Sequence, residues 1–397
     1  MKILLINHFP LQGSGSGIYT MNIANQLVNS GHEVFVIDLD NVIDSNNYNF
    51  SRRTIICNKF ENPGAELDFN FPCFTTHPRS FKTFYDLSEN EIEEYVDVFS
   101  KITNDVCKKF KPDVIHAQHL WITPYIAYKT GIPYIVTAHG TDLIGFRQDQ
   151  RYHRYALIGA KNAHKIITIS KQVHQDVLDL YKVGKDNLKL IPNGFDTNIF
   201  RVQDFNRKEL LEKFGLNTAP EKIVSFVGKF TSFKGIDTLL YAAHSITKKI
   251  SKVAFILAGN GELMQNMIEI SQKENLDNIF FLGHQNQNDI SLLYNLADVS
   301  VVPSRIEPFG LVAIEALAWG TPVVATNAGG LPDFINDKVG KLVEMEKPEL
   351  LAEAIIQELA NNTKKTKGKY AAKYALDNYS WEHSLKEVIQ LLNSAVK

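Results

Sequence analysis

The stretch Ile223-Val224-Ser225-Phe226-Val227-Gly228-Lys229-Phe230-Thr231-Ser232-Phe233-Lys234-Gly235 sets the reading of the whole chain. A short β-branched and aromatic run stops at a glycine, a loop with two lysines five residues apart follows, and a helix-length stretch begins. A buried strand that hands over to a helix in this way is one βα unit of a parallel sheet. The unit recurs on both sides. Towards the C-terminus, strand-like runs stand at residues 253–258, 279–282, 299–302 and 323–325; towards the N-terminus they stand at 3–7, 34–37, 114–117, 134–138 and 166–169. The fold class is α/β, with two doubly wound Rossmann-like domains facing across a cleft and ligands at the carboxyl ends of the strands.

The boundary lies where Pro192, Asn193 and Gly194 bring turn chemistry and a charged stretch, 201–213, interrupts the strand rhythm. The composition agrees: 397 residues with 44% hydrophobic and 22% charged is enough for two cores. Lys+Arg total 42 against Asp+Glu 44, a net charge of −2, so no global positive field exists to bind nucleic acid. Any bound anion must be held locally. Three cysteines, Cys57, Cys73 and Cys107, form neither a disulfide framework nor a zinc pattern, and a reduced cytoplasm is the simplest home. No apolar run reaches a membrane span, and the first residues are too short for a signal peptide.

Residues 40–90 break the rhythm, with Phe60, Phe69, Phe71, Phe74, Phe81 and Phe84 gathered around Thr76-His77-Pro78-Arg79. The excursion reads equally as a lid or acceptor wall and as a small satellite core. Residues 89–110 then form one amphipathic helix, acidic early and basic late. Lys364-Lys365-Thr366-Lys367-Gly368-Lys369 is a basic run that reads as a solvated helix face in preference to a contact with anionic lipid.

Several strand ends carry residue types suited to chemistry. Gly13-Ser14-Gly15-Ser16-Gly17 follows the first strand and opens a helix, where backbone N–H groups can approach an anion. A full dinucleotide fingerprint fails because Ile18 replaces its last glycine, although Asp38 ends the second strand as a ribose-binding acid would. Asp38-Leu39-Asp40 also spells a two-acid metal pattern. His139-Gly140-Thr141-Asp142 lies just past a strand end, where histidine can hydrogen-bond a substrate or move a proton. Lys229 and Lys234 flank their loop as a metal-free diphosphate clamp. Gly259-Asn260-Gly261 gives a second close backbone approach. Glu307-Pro308-Phe309-Gly310-Leu311 then leads into a helix holding Glu315. Two carboxylates in an apolar stretch call for hydroxyl partners, a sugar's for Glu307 and a ribose's for Glu315.

Taken in order, Gly13–Gly17, His139-Gly140-Thr141-Asp142, Pro192-Asn193-Gly194-Phe195-Asp196, Gly228-Lys229 with Lys234-Gly235, and Glu307-x7-Glu315 resemble the retaining GT-B glycosyltransferases of the E-x7-E, family 4-like group. The resemblance runs to Tyr379-Ser380-Trp381, which looks like the start of that family's last helix. It implies domains at 1–192 and 193–378, acceptor side and nucleotide-sugar side, with 379–397 crossing back to the first. It also implies that Lys229 and Lys234 hold the diphosphate, Glu307 the donor sugar, Glu315 the ribose and His139 the sugar near its reacting carbon. Gly15, Gly17, Gly228, Gly259, Asn260, Gly261, Pro308, Phe309, Gly310 and Leu311 would complete the donor side; Gly13, Ser14, Ser16 and Asp142 would line the acceptor side. One departure stands out: the family usually has arginine where Lys229 stands, and lysine loses the bidentate fork.

The expected reaction is metal-independent transfer of a hexosyl or N-acetylhexosaminyl group, with retention, to an acceptor hydroxyl. No cofactor is called for beyond the nucleotide-sugar co-substrate, for which UDP is the commonest nucleotide in the family. Residues 18–30 contain no Lys or Arg, which favours a polar acceptor over a lipid-linked or polysaccharide one and speaks against peripheral membrane contact. A nicotinamide-dependent oxidoreductase using Asp38, and a nucleotide-sugar-binding protein without turnover, are the readings from other classes.

Overall fold

The structure, a computed structural model, describes every residue except 44, 45, 76, 78, 217–219 and 397. It divides into two compact units, Met1–Pro192 with Ser384–Lys397, and Asn193–His383. Among the described residues the first unit holds a seven-stranded sheet: β1 (Lys2–Ile6), β2 (Glu33–Asp40), β3 (Ser51–Ile56), β4 (Val114–Gln118), β5 (Tyr134–Ala138), β6 (Lys165–Thr168) and β7 (Leu188–Leu190). The second holds a six-stranded sheet: β8 (Lys222–Val227), β9 (Val253–Ala258), β10 (Ile279–Gly283), β11 (Val299–Val302), β12 (Val323–Thr326) and β13 (Gly340–Val343). The orders are β3-β2-β1-β4-β5-β6-β7 and β10-β9-β8-β11-β12-β13, and neighbouring strands run parallel. The direction of progression reverses between β1 and β4 in one unit and between β8 and β11 in the other, and such reversals open a crevice at the strands' carboxyl ends. The loops that leave these four strands carry most of the residues singled out above.

Each sequence-predicted run is a strand, and apart from the part-buried edge strand β10 these runs are largely buried and apolar, as strands covered on both faces are. Ile3–Ile6, Phe255–Leu257 and Val323–Ala325 are fully or almost fully buried. The sequence reading passed over β3, β7 and β13, which are edge strands with one neighbour each and polar residues such as Arg52, Arg53, Lys189 and Lys341.

The helix Glu89–Phe110 begins with a capping box: Ser88 Oγ accepts from Glu91 N, and Ser88 N donates to Glu91 Oε2 at 2.7 Å. Ile92, Tyr95, Val96, Phe99, Thr103 and Val106 bury one face of it. The aromatic excursion is mostly core. Phe74 and Phe84 pack at 4.8 Å between ring centroids, Phe84 and Trp121 at 5.7 Å, and Trp121 stacks on Tyr152 at 4.3 Å. Phe60 and Phe81 instead stand 96% and 93% exposed. Of the four-residue segment around His77, Thr76 and Pro78 lie outside the described residues.

The last helix is Trp381–Val396, and the chain returns to the first unit at Ser384, inside that helix and later than the expected 379. Tyr379 and Trp381 are retained by the second unit through hydrogen bonds with Phe195: Phe195 N donates to Tyr379 O at 3.0 Å and Trp381 N donates to Phe195 O at 3.3 Å. Ser384 Oγ donates to Pro192 O at 2.8 Å, Lys189 pairs with Glu387 at 2.7 Å, and Val388 and Leu392 are fully buried.

The basic run is not simply a solvated face. Lys364 Nζ donates to Asn295 O at 2.5 Å and Ala297 O at 2.7 Å, closing the carboxyl end of the helix Gln287–Leu296, and Lys367 lies 3.7 Å from buried Glu358. Burial lowers Lys364 to a pKa of about 8. Among the described residues no helix is long and apolar enough to cross a membrane.

Candidate functional site

In the second unit, β8 and β9 end in glycines whose backbones touch. Gly228 N donates to Ala258 O at 3.0 Å, and a Cβ on Gly259, at φ +149°, would lie 1.8 Å from Gly228 O. Gly261 is equally constrained, its Cβ position falling 2.5 Å from Phe230 O. Phe230 N donates to Asn260 O at 2.9 Å, while Asn260 Oδ1 accepts from Gly261 N at 2.8 Å. The Asn260 side chain thus shapes its own loop. Lys229 is exposed beside this platform. Lys234 closes the 3₁₀ turn Ser232–Lys234, and Gly235 follows in the left-handed region at φ +62°, its Cβ position 2.0 Å from Pro303 O. The turn that carries Lys234 therefore lies directly against the exit of β11.

That exit presents Glu307. Lys234 Nζ donates to Glu307 Oε2 at 2.7 Å, and Ser304 Oγ donates to the same oxygen at 3.2 Å. Glu307 is 7% exposed, so one carboxylate oxygen is fixed by a cation and a hydroxyl while the other is left for further donors. The backbone at this point is held from below: Gly330 N donates to Glu307 O at 2.9 Å, and a Cβ on Gly329 would lie 1.9 Å from that oxygen. Pro308 and Phe309 lead to Gly310, at φ +108°, which caps the helix Leu311–Ala318. Phe309 packs on Phe334 and Tyr379 at 5.6 and 6.2 Å, anchoring the loop, and Ala313 N and Ile314 N donate to Gly310 O at 3.0 and 3.3 Å, so the first turn of the helix is formed on its cap residue. Glu315 lies one turn further along, also 7% exposed, and burial raises its carboxyl to a pKa of about 8. At neutral pH it is mostly protonated, able to donate as well as accept, which suits a vicinal diol.

In the first unit the corresponding strand ends are lined by neutral, buried groups. His139 follows β5; its Nε2 lies 3.0 Å from Gln118 Oε1, and its ring meets Tyr19 at 5.0 Å and His119 at 4.7 Å between centroids. Burial holds His139 down to a pKa of about 3, with nearby His116 adding to the effect. It is a hydrogen-bonding imidazole and not a cation at physiological pH. His116 Nε2 lies 2.8 Å from Thr137 Oγ1, and His8 Nδ1 lies 2.6 Å from Tyr95 Oη.

Asp142 has a different place from the acceptor-lining one expected of it. It is fully buried, and its Oδ2 accepts from Leu120 N at 2.6 Å while its Oδ1 accepts from His139 N at 3.2 Å. The carboxylate ties the exit of β4 to the exit of β5, so its effect on a ligand passes through the His139 backbone. Burial moves it up to a pKa of about 6 against the pull of these N–H groups. Ser14 likewise serves the backbone: its Oγ accepts from Gly17 N at 3.0 Å as the cap of the helix Gly15–Asn29. Gly13 (φ +84°) and Gly15 are exposed, Ser16 is buried, and Gly17 is a close-packing glycine whose Cβ would lie 2.0 Å from Pro10 O.

Asp38, the acid of the oxidoreductase and two-acid metal readings, is fully buried: Arg52 Nε donates to Oδ1 at 3.0 Å and Thr54 Oγ1 to the same atom at 2.9 Å. Asp40 pairs with Arg79 at 3.0 Å. Asp38 is thus tied to Arg52 and Thr54 of β3, and Asp40 to an arginine of the aromatic excursion.

The sequence reading missed four contributors. Gly329-Gly330 was legible as a glycine pair just past a strand. Gln118 and His119 follow β4 as a polar pair on a buried run; His119 adopts the left-handed region at φ +68°, and neither buried ring nitrogen has a hydrogen-bond partner among the described residues. Arg305 carried no local signal.

Both halves of the chain match known families. Residues 13–199 match the model of Glycosyltransferase Family 4, and residues 206–393 match Glycosyl transferases group 1. Two uncharacterized glycosyltransferases of Methanocaldococcus jannaschii are 28% identical over 100% of this chain and 99% of the relative, and 31% identical over 71% and 75%. A D-inositol 3-phosphate glycosyltransferase of Salinispora tropica is 28% identical over 72% of this chain and 64% of its own length. Among solved structures, a sucrose-phosphate synthase of Thermosynechococcus elongatus has TM-score 0.78 at 24% identity, covering 99% and 98% of the two chains. HepE of Anabaena in complex with UDP and glucose has TM-score 0.76 at 19% identity, covering 99% and 100%. Sheets of the same kind in both units, together with family matches to both halves, identify this chain as a member of the group 1 glycosyl transferases, with a family 4 N-terminal half.

Proposed function

We propose that the protein transfers a hexosyl or N-acetylhexosaminyl group from a UDP-sugar to a hydroxyl of a polar acceptor, with retention and without a metal. The observation that carries the reading is the Lys234–Glu307 pair at 2.7 Å, set between glycine-lined strand ends. Breaking the anomeric bond loads negative charge onto the departing diphosphate, and preorganised cations and helix-start N–H groups stabilise that charge where it develops. Lys234, with Lys229 and the start of the helix Leu311–Ala318, supplies such groups. Glu307 keeps an oxygen for the sugar hydroxyls and Glu315 takes the ribose. His139, neutral at working pH, hydrogen-bonds the sugar and does not need to shuttle a proton.

The choice of UDP is supported by the structural neighbour HepE, described with UDP and glucose. A polar acceptor is supported by the inositol phosphate relative and by the absence of Lys and Arg from the helix Gly15–Asn29. The test is calorimetric titration with UDP, GDP, ADP and NAD, then NMR of the product formed from the corresponding sugar donors with inositol phosphate and simple sugar acceptors, with and without EDTA. The expected result is UDP binding, a product with the donor's anomeric configuration, and turnover indifferent to EDTA. Binding of NAD in place of any nucleoside diphosphate, or an inverted product, would overturn the reading.

A further inference from the structure

Arg305 sits on the loop after β11, two residues before Glu307, and reaches back to the loop after β8. Its Nη1 donates to Ser232 O at 2.7 Å and to Asp237 Oδ1 at 2.9 Å, its Nη2 to Asp237 Oδ2 at 2.8 Å, and its Nε to Glu346 Oε1 at 2.8 Å. The backbone adds to this: Arg305 N and Ile306 N donate to Phe233 O at 2.8 and 3.2 Å. Each residue of the turn Ser232–Lys234 is thus tied to the loop 304–307, Ser232 and Phe233 through carbonyls and Lys234 through its ammonium on Glu307. A guanidinium is a planar fork, and its two-oxygen pairing with Asp237 fixes orientation as well as distance. With Nε and both Nη atoms so engaged, Arg305 is not a stand-in for the arginine that Lys229 replaces.

We infer that Arg305 is a positioning residue: through Asp237 and Ser232 it holds the Lys234 turn at the reach of Glu307 and so sets where the ammonium meets the donor. Its link to the donor rests on the function proposed above; its hold on Lys234 does not. The first test is therefore ligand-free. Wild type, Arg305→Ala, Asp237→Asn and Glu346→Gln are pulse-acetylated, and labelling of Lys234 is read by mass spectrometry against Lys252, which is paired elsewhere with Glu221. Arg305→Ala and Asp237→Asn should raise Lys234 labelling roughly three-fold or more with Lys252 unchanged, and Glu346→Gln, which removes only the exposed outer partner, should change it less than about two-fold. Unchanged Lys234 labelling in both Arg305→Ala and Asp237→Asn overturns the inference. The second test is UDP affinity. Arg305→Ala should weaken it about ten-fold, and adding Arg305→Ala to Lys234→Ala should cost less than about two-fold more, since one residue acts through the other. Losses that multiply would overturn that route. If UDP does not bind the wild type, the labelling alone decides the inference and the failure belongs to the donor assignment.

Discussion

The strand ends of the two units solve opposite problems. Around β4 and β5, His116, Gln118, His119, His139 and Asp142 are buried, and desolvation keeps the histidines neutral and lifts the aspartate towards neutrality. Around β8 and β11, Lys229, Lys234, Arg305 and Glu307 are charged types of side chain that are partly open or paired with an opposite charge. Burial and charge exclude one another unless a partner is at hand. A chain with almost no net charge can therefore confine its anion chemistry to one unit and leave directional hydrogen bonding to the other.

The sharpest way to break this contrast is to remove the charged pair. Lys234→Ala and Glu307→Ala should each lower kcat/KM by about 10²–10³, with circular dichroism unchanged. Lys234→Ala should also weaken nucleotide binding. His139→Ala should cost about 10² in kcat while leaving nucleotide affinity within about two-fold, since the two lysines proposed to hold the diphosphate lie in the other unit. Because His139 is held near a pKa of about 3, wild-type activity should have no acid limb from it between pH 5 and 8. Such a limb, abolished by His139→Gln, would show that the imidazole is charged after all.

Glycines extend the comparison from chemistry to packing. Gly259→Ala should destabilise the protein by about 2–4 kcal/mol and weaken nucleotide binding, since its Cβ position lies 1.8 Å from a carbonyl oxygen. Gly15→Ala, with open space around its Cβ position, should change stability by less than about 0.5 kcal/mol. Chemical denaturation of the two variants measures both. A further effect, dependent on pH, concerns Glu315. Its carboxyl titrates higher in the folded protein than unfolded, so the stability it contributes is complete below about pH 4.5 and is lost as pH rises through about 8. Glu315→Gln should flatten the fall of Tm across that window by a few degrees relative to wild type. A variant whose Tm tracks the wild type at every pH would remove Glu315 from the contrast.

Legibility in the sequence followed burial and locality. Apolar runs announce themselves, even at the edge strand β10, whereas the edge strands β3, β7 and β13 carry the arginines and lysines that blunt a sheet edge. Residues marked by their own loop, such as Lys234 before Gly235 and Glu307 before Pro308, stand out directly, and the structure brings these two together at 2.7 Å. Arg305 could not, because its partner Asp237 lies 68 residues earlier and nothing local marks the pairing. Asp142 was misplaced for a related reason: an acid in a helix's first turn reads alike whether it faces a ligand or accepts from two backbone amides. The inward turn of Lys364 was hidden in the same way, since a run of lysines does not say which of them meets a helix end.

The late return of the chain bears on the order in which the molecule can be made. Ser384 reaches Pro192 across 192 residues of sequence, and Val388 and Leu392 fill the interior of a unit whose seven strands emerge from the ribosome long before them. The first sheet must wait, with part of its apolar cover missing, while the whole second unit is synthesised. Folding of the N-terminal unit is thus completed only after the second unit has been made, and a nascent chain arrested before residue 384 carries an unfinished core that chaperones would recognise.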